Sequence, residues 1–151
     1  MTEITPDNDP KKTREWYKKT LDGVVKEMLK KGVLAGVAID ANPVWAVPFK
    51  ILIAKVWNVN EKSRFIWTIS GERVITDHVA GSVAKTPQQV ARHFSLKWQL
   101  DADRLSEIAQ GKSPLENTGK HMEGYTEKLV ECAELLYDLS GRDEIWKPKH
   151  H

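Results

Sequence analysis

The chain has 151 residues, of which 40% are hydrophobic and 29% charged, and its formal net charge is +2. That size suits one domain able to bury about two-thirds of its unfolded surface, and the mixture excludes an intrinsically disordered chain. So small a charge creates no global field toward nucleic acid or an anionic membrane, and the single Cys132 excludes an intramolecular disulfide or a cysteine metal cluster.

The opening MTEITPDNDP lacks an apolar signal core, and no apolar run approaches a membrane span, so a cytoplasmic protein is expected. Residues 1–9 read as a loose arm, 10–147 as one domain and 148–151 as a tail. His150 and His151 receive no role. Asp9 then Pro10 predicts a helix start, a capping carboxylate followed by proline at the first helical position. Trp16, Tyr17, Leu21, Val24, Met28 and Leu29 recur at helical spacing, and Gly32 is a natural stop. Trp16 and Tyr17 read as core anchors.

Residues 33–40, VLAGVAID, read as a strand that Asn42–Pro43 breaks. In VWAVPFKILIAKVWNV, Phe49, Ile51, Ile53 and Trp57 share one strand face, while Leu52, Ala54 and Val56 share the other. Apolar residues on both faces mark a central strand, with regular pairing beginning after Pro48. Asn60–Ser63 reads as a hairpin turn. Arg64–Ser70 then alternates, with Phe65, Trp67 and Ile69 on one face, and Val74–Val79 offers a further short strand. The sheet is expected to be mainly antiparallel, with three or four strands.

Thr86-Pro87-Gln88-Gln89 has the pattern of a capping box. At about 100° per residue, Val90, Ala91, Phe94, Trp98, Ala102, Leu105, Ile108 and Ala109 then form one stripe, ended by Gly111. Ser113-Pro114-Leu115-Glu116 is a second capping box. The last stripe holds Leu115, Met122, Tyr125, Leu129, Cys132, Ala133 and Leu136. Gly119 and Gly124 weaken its first half, which places a helix start or bend near Thr118. Gly141 is the stop, and Ile145–Trp146 is expected to fold back. The fold class is therefore α+β: an N-terminal helix, a central antiparallel sheet and two C-terminal helices packed on it.

Asp101 falls inside the apolar stripe of its helix, where an ionised carboxylate needs a partner. Lys97, Arg104 and Arg64 are the candidate partners, and the plain reading is a salt-bridged acid at the rim of the core. His93, on the same helix, and Asp77–His78, at the end of the β-rich half, supply further acid–base groups. Their spacing matches no H-x-x-x-H or H-E-x-x-H motif, so no metal is expected, and no glycine-rich phosphate loop or nucleophile elbow appears. No cofactor is expected either.

Six tryptophans are many for this length. Trp57, Trp67 and Trp98 fit core faces, whereas Trp45, among prolines, and Trp146, in the tail, are candidates for surface contacts. Leu96 and Leu100 lie opposite the main stripe, and a helix apolar on two sides is either sandwiched or packed on another chain. A homodimer is therefore an expectation.

Two runs, W-T-I-S-G-E-R-V-I-T-D-H (Trp67–His78) and T-P-Q-Q-V-A-R-H-F-S-L-K-W-Q (Thr86–Gln99), resemble a family of small bacterial proteins grouped only as a domain of unknown function. Its pattern is a strand ending W-x-x-x-G, then an Asp, then a helix carrying H-F-S-x-K-W. The family loop after that Gly carries an acidic residue and a proline; here Glu72 is present and the proline is not. The resemblance covers most of the chain and implies a bacterial cytoplasmic protein without an assigned activity.

The favoured function is a non-enzymatic interaction protein, an adaptor or toxin-neutralising immunity partner, with a protein partner and no membrane or nucleic acid. The alternative is a small hydrolase or ligand-binding enzyme using His93, Asp77, His78 and Asp101 in a sheet–helix cleft.

Overall fold

Asp9 begins the first helix as its sequence implies: the carboxylate accepts the Lys11 N–H at 3.0 Å, and Pro10 occupies the first helical position, where a missing N–H costs nothing. The computed structural model describes residues 9–36, 38–108 and 119–147, apart from the side chains of 119–123. Helix α1 runs Pro10–Lys30. It ends in a left-handed Gly32 (φ 74°), with Val33 N–H returning to Met28 O at 2.9 Å.

Four strands follow: β1 Ile39–Val47, β2 Ile51–Asn58, β3 Ile66–Ser70 and β4 Asp77–Ala80. They form one antiparallel meander in the order β1-β2-β3-β4. Helix α2 runs Pro87–Glu107 and helix α3 runs Gly119–Ser140. The fold is thus α+β, with an N-terminal helix, a four-stranded antiparallel sheet and two C-terminal helices. The chain divides into two compact units, Met1–Pro87 and Gln88–His151.

In the first unit, Val24 and Met28 of α1 pack with Leu34 and Val56, and Ile39, Ala41 and Ile66 close the cluster. That fixes which face of β2 α1 covers: the one holding Ala54 and Val56. Ile51, Ile53, Trp67 and Ile69, on the other face, are also buried, as expected for central strands.

The expected strand at 33–40 is displaced. The structure starts β1 at Ile39, and Asn42–Pro43 lie inside it rather than ending it. The reason is position: β1 is an edge strand, where proline's missing N–H faces away from the ladder. The same edge is closed in two further ways. The Ala41 N–H is taken by its neighbour Asp40 at 3.0 Å, and a bulge separates Pro43 from Trp45. An edge without regular free donors is a poor template for another strand. The short strand expected at Val74–Val79 is seen at Asp77–Ala80, and the Asn60–Ser63 turn is a 3-10 stretch, Val59–Arg64.

In the second unit α2 and α3 are antiparallel. Ser95 Oγ donates to Ala133 O at 2.8 Å, and Gln88 Nε2 donates to Ser140 O and to Asp143 Oδ1, each at 2.8 Å. Val90, Phe94 and Trp98 are fully buried along one face of α2, opposed in kind by Leu129, Cys132, Ala133 and Leu136 on α3. After Gly141 the chain folds back, and Trp146 Nε1 donates to Leu139 O at 2.8 Å. The expectations for Ala109, Gly111 and Ser113–Glu116, including Leu115, lie outside the described residues, as do the arm, His150–His151 and the side chains of His121 and Met122.

Candidate functional site

A groove of the first unit lies on the face of β2 turned away from α1. Cross-strand register builds it. Lys55 stands between Asn42 on β1 and Trp67 on β3, and Trp57 stands opposite Asp40. The turn after β2 adds Lys62, Ser63 and Phe65, and with Asp40, Asn42, Lys55 and Trp57 these line a groove of about 720 Å3. That volume falls within the range of known ligand pockets.

Two lysines are held here by rings instead of by acids. The Lys55 ammonium sits 4.7 Å from the Phe65 ring centre and 5.1 Å from that of Trp67, and Lys62 sits 5.4 Å from Trp57. Each contact draws the cation to the negative face of a ring. Among the described residues, no carboxylate lies within ion-pair distance of Lys55 or Lys62. The one acid of the groove, Asp40, already accepts the Ala41 N–H, and Glu61 is engaged by Arg64 at 3.6 Å.

The rings are themselves fixed. Phe65 and Trp67 meet edge to face with centres 5.6 Å apart, and Trp67 Nε1 donates to Ala84 O at 3.0 Å in a buried hydrogen bond. Gly81 makes room for Phe65: a Cβ there would lie 2.8 Å from two ring carbons and 2.5 Å from the Phe65 carbonyl oxygen. The groove therefore presents preset cations on a rigid aromatic wall. Its lining carries two cations, Lys55 and Lys62, and one acid, Asp40.

The residues singled out from sequence fall elsewhere. Asp101 is not a buried acid: its side chain is 34% exposed and pairs with Lys97 at 3.3 Å. The stripe is wide enough that its edge reaches water, so the i, i+4 pair forms at the rim. Arg64 pairs with Glu61 instead, and Arg104 is exposed. His93 is half-buried, edge-on to Phe94 at 6.3 Å between ring centres. Eight residues of continuous helix separate His93 from Asp101, about 12 Å along the axis.

Asp77 and His78 are neighbours on β4. The Asp77 carboxylate accepts the His78 backbone N–H at 2.7 Å, while its distance to the imidazole Nδ1 is 4.0 Å. It serves first as a local backbone partner. Trp45 is half-buried and helps line a smaller groove of about 260 Å3 with Tyr17, Pro43, Val44 and Ala46. Trp146 is half-buried, its indole spent on Leu139. Leu96 and Leu100 are exposed, at 57% and 64%. Trp57, assigned from sequence to a core face, is half-buried as a groove wall, because it lies one residue past the end of the β2–β3 pairing at Val56. Among the described residues no three His, Cys, Asp or Glu side chains gather as metal ligands, and no helix is long and apolar enough to cross a membrane.

Fold and groove together define a small α+β domain with a lysine-bearing, aromatic-walled groove on a four-stranded meander. The chain belongs to the family described as Domain of unknown function (DUF4826), whose model matches residues 10–146. Searches of curated proteins and of solved structures found no match.

Proposed function

We propose that this chain is a non-catalytic binding protein, an adaptor or toxin-neutralising partner working in the cytoplasm, which holds an acidic segment of another protein in the Lys55–Lys62 groove. The observation that carries this reading is the half-buried Lys55, its ammonium seated against two rings without a carboxylate partner among the described residues. An arriving Asp or Glu side chain meets a cation that is already positioned by two rings. Little side-chain entropy remains to be lost on binding, and the attraction is less screened than at an open surface. The aromatic wall adds apolar contact, while charge sets orientation. Leu96 and Leu100, one turn apart on α2, form the surface on which we place a second copy of the chain.

Fluorescence anisotropy with labelled Glu-rich peptides, with and without an aromatic residue, tests the groove. The parent chain should bind the aromatic-bearing peptide more tightly, and Lys55→Gln should weaken it by about tenfold or more, a loss of about 1.4 kcal/mol. Equal affinity for parent and variant, or no binding of either peptide at low salt, would refute the proposal.

A further inference from the structure

A second concavity in the first unit has different chemistry. Trp16, Lys19, Thr20, Gly23 and Glu27 recur along one face of α1, and with Ser70, Gly71, Glu72 and Thr76 of the β3–β4 connection they enclose a cleft of about 380 Å3.

Gly23 is the first clue. It sits in the middle of α1, where glycine is a poorer helix former than alanine. Neither backbone nor packing calls for it: its φ is not positive, and a Cβ built there meets nothing within 4 Å. What its bare backbone does is leave the helix wall of the cleft open.

The second clue is the charge arrangement. Lys19 stands on the helix wall and Glu72 on the connection wall, and among the described residues neither is in an ion pair. Glu27 is engaged by Lys31 at 3.2 Å. The cleft thus presents opposite charges on its two sides, unspent on each other, with space between them.

The remaining walls add detail. Ser70 Oγ and Thr76 Oγ1 share a hydrogen bond at 2.7 Å. One hydroxyl donates to the other, so the acceptor keeps its own hydrogen to give. Trp16 supplies an apolar side, held by Tyr17 at 5.4 Å and Phe49 at 5.6 Å between ring centres.

We infer that this cleft binds a free α-amino acid in its zwitterionic form. The ligand carboxylate is received by the Lys19 ammonium and the Ser70–Thr76 hydroxyl pair. The ligand ammonium faces the Glu72 carboxylate, and an apolar side chain lies along Trp16 past Gly23. A ligand of zero net charge matches walls of opposite sign, where the lysine groove accepts only anions. The two sites are chemically separate.

Thermal denaturation and calorimetry test it with L-phenylalanine and L-leucine, using phenylacetate and phenethylamine as analogues lacking one charge. At ten times Kd an accepted amino acid should raise Tm by about 3–5 °C. Both analogues should bind at least about tenfold more weakly, because each leaves one wall charge unmatched. Gly23→Leu, which fills the cleft with a good helix former, should abolish the response. Glu72→Gln, on an exposed residue, should weaken it without loss of folding, and Lys55→Gln should leave it unchanged. No response to either amino acid, analogues that bind as well as they do, or a Gly23→Leu protein that responds like the parent would each overturn the inference.

Discussion

Two glycines lining the amino-acid cleft should answer the same substitution with opposite signs. Gly71 has φ 151°, and a Cβ there would stand 2.1 Å from Lys50 O, 2.7 Å from Lys50 C and 2.9 Å from Ile51 Cα. All three are backbone atoms, so no rotamer change relieves the clash. The turn between β3 and β4 would have to move off the β1–β2 hairpin, breaking Arg73 N–H to Lys50 O (3.1 Å) and Glu72 N–H to Phe49 O (3.4 Å). Each lost hydrogen bond costs about 0.5–1.5 kcal/mol, and the strained backbone adds about 1–3 kcal/mol. Gly71→Ala should therefore destabilise the chain by about 2–6 kcal/mol. At Gly23 the new methyl enters empty space on a regular helix, so Gly23→Ala should stabilise by about 0.5–1 kcal/mol. Urea unfolding of parent and both variants decides the matter, read as midpoint shifts at constant slope. A Gly71→Ala protein within about 1 kcal/mol of the parent would show that the hairpin approach is not as close as described. A destabilised Gly23→Ala would show that the site is not open.

The other predictions concern α2. Asp101→Asn removes a half-exposed i, i+4 pair, so the loss should stay below about 0.5 kcal/mol at moderate salt; a loss of several kcal/mol in urea unfolding would place the carboxylate inside the core instead of at its rim. Leu96→Glu with Leu100→Glu should convert a dimer to a monomer in sedimentation equilibrium without lowering stability, since both side chains are exposed. A parent that sediments as a monomer at high concentration would remove the second copy from that surface.

Much of the fold was legible in the sequence because its signals are local. The Asp9–Pro10 start, the Gly32 and Gly141 stops and the Val90–Phe94–Trp98 stripe each depend on a few neighbouring residues. So does the two-faced apolar run of β2, which marks a central strand wherever it sits in the sheet. Asn42–Pro43 misled because a proline's cost depends on whether its N–H faces a partner strand, and that follows from strand order, not from the dipeptide. Asp101 was legible as a salt-bridged acid at the rim of the core, and Lys97 is its partner. A helical wheel reports direction but not how far the covered face extends, so it left the choice among Lys97, Arg104 and Arg64 to the structure.

The grooves were not legible, although one signal stood in view. Lys55 interrupts ILIAKVW on the side of Ile53 and Trp57, and a cation within an apolar strand run requires either an edge or a site. What it meets depends on register. The bulge between Pro43 and Trp45 re-phases β1 against β2, so that Asn42 opposes Lys55 on one side of it while Trp45 opposes Ile53 on the other. A slip of β2 by one residue would turn Lys55 toward Val24 and Met28 and carry Val56 out to the aromatic wall, reversing both faces at once. The α1 core and the lysine groove are therefore two consequences of one register. A variant that keeps the core packed but misplaces Lys55 is not available to this sheet, and loss of the groove without loss of stability can come only from the side chains that line it.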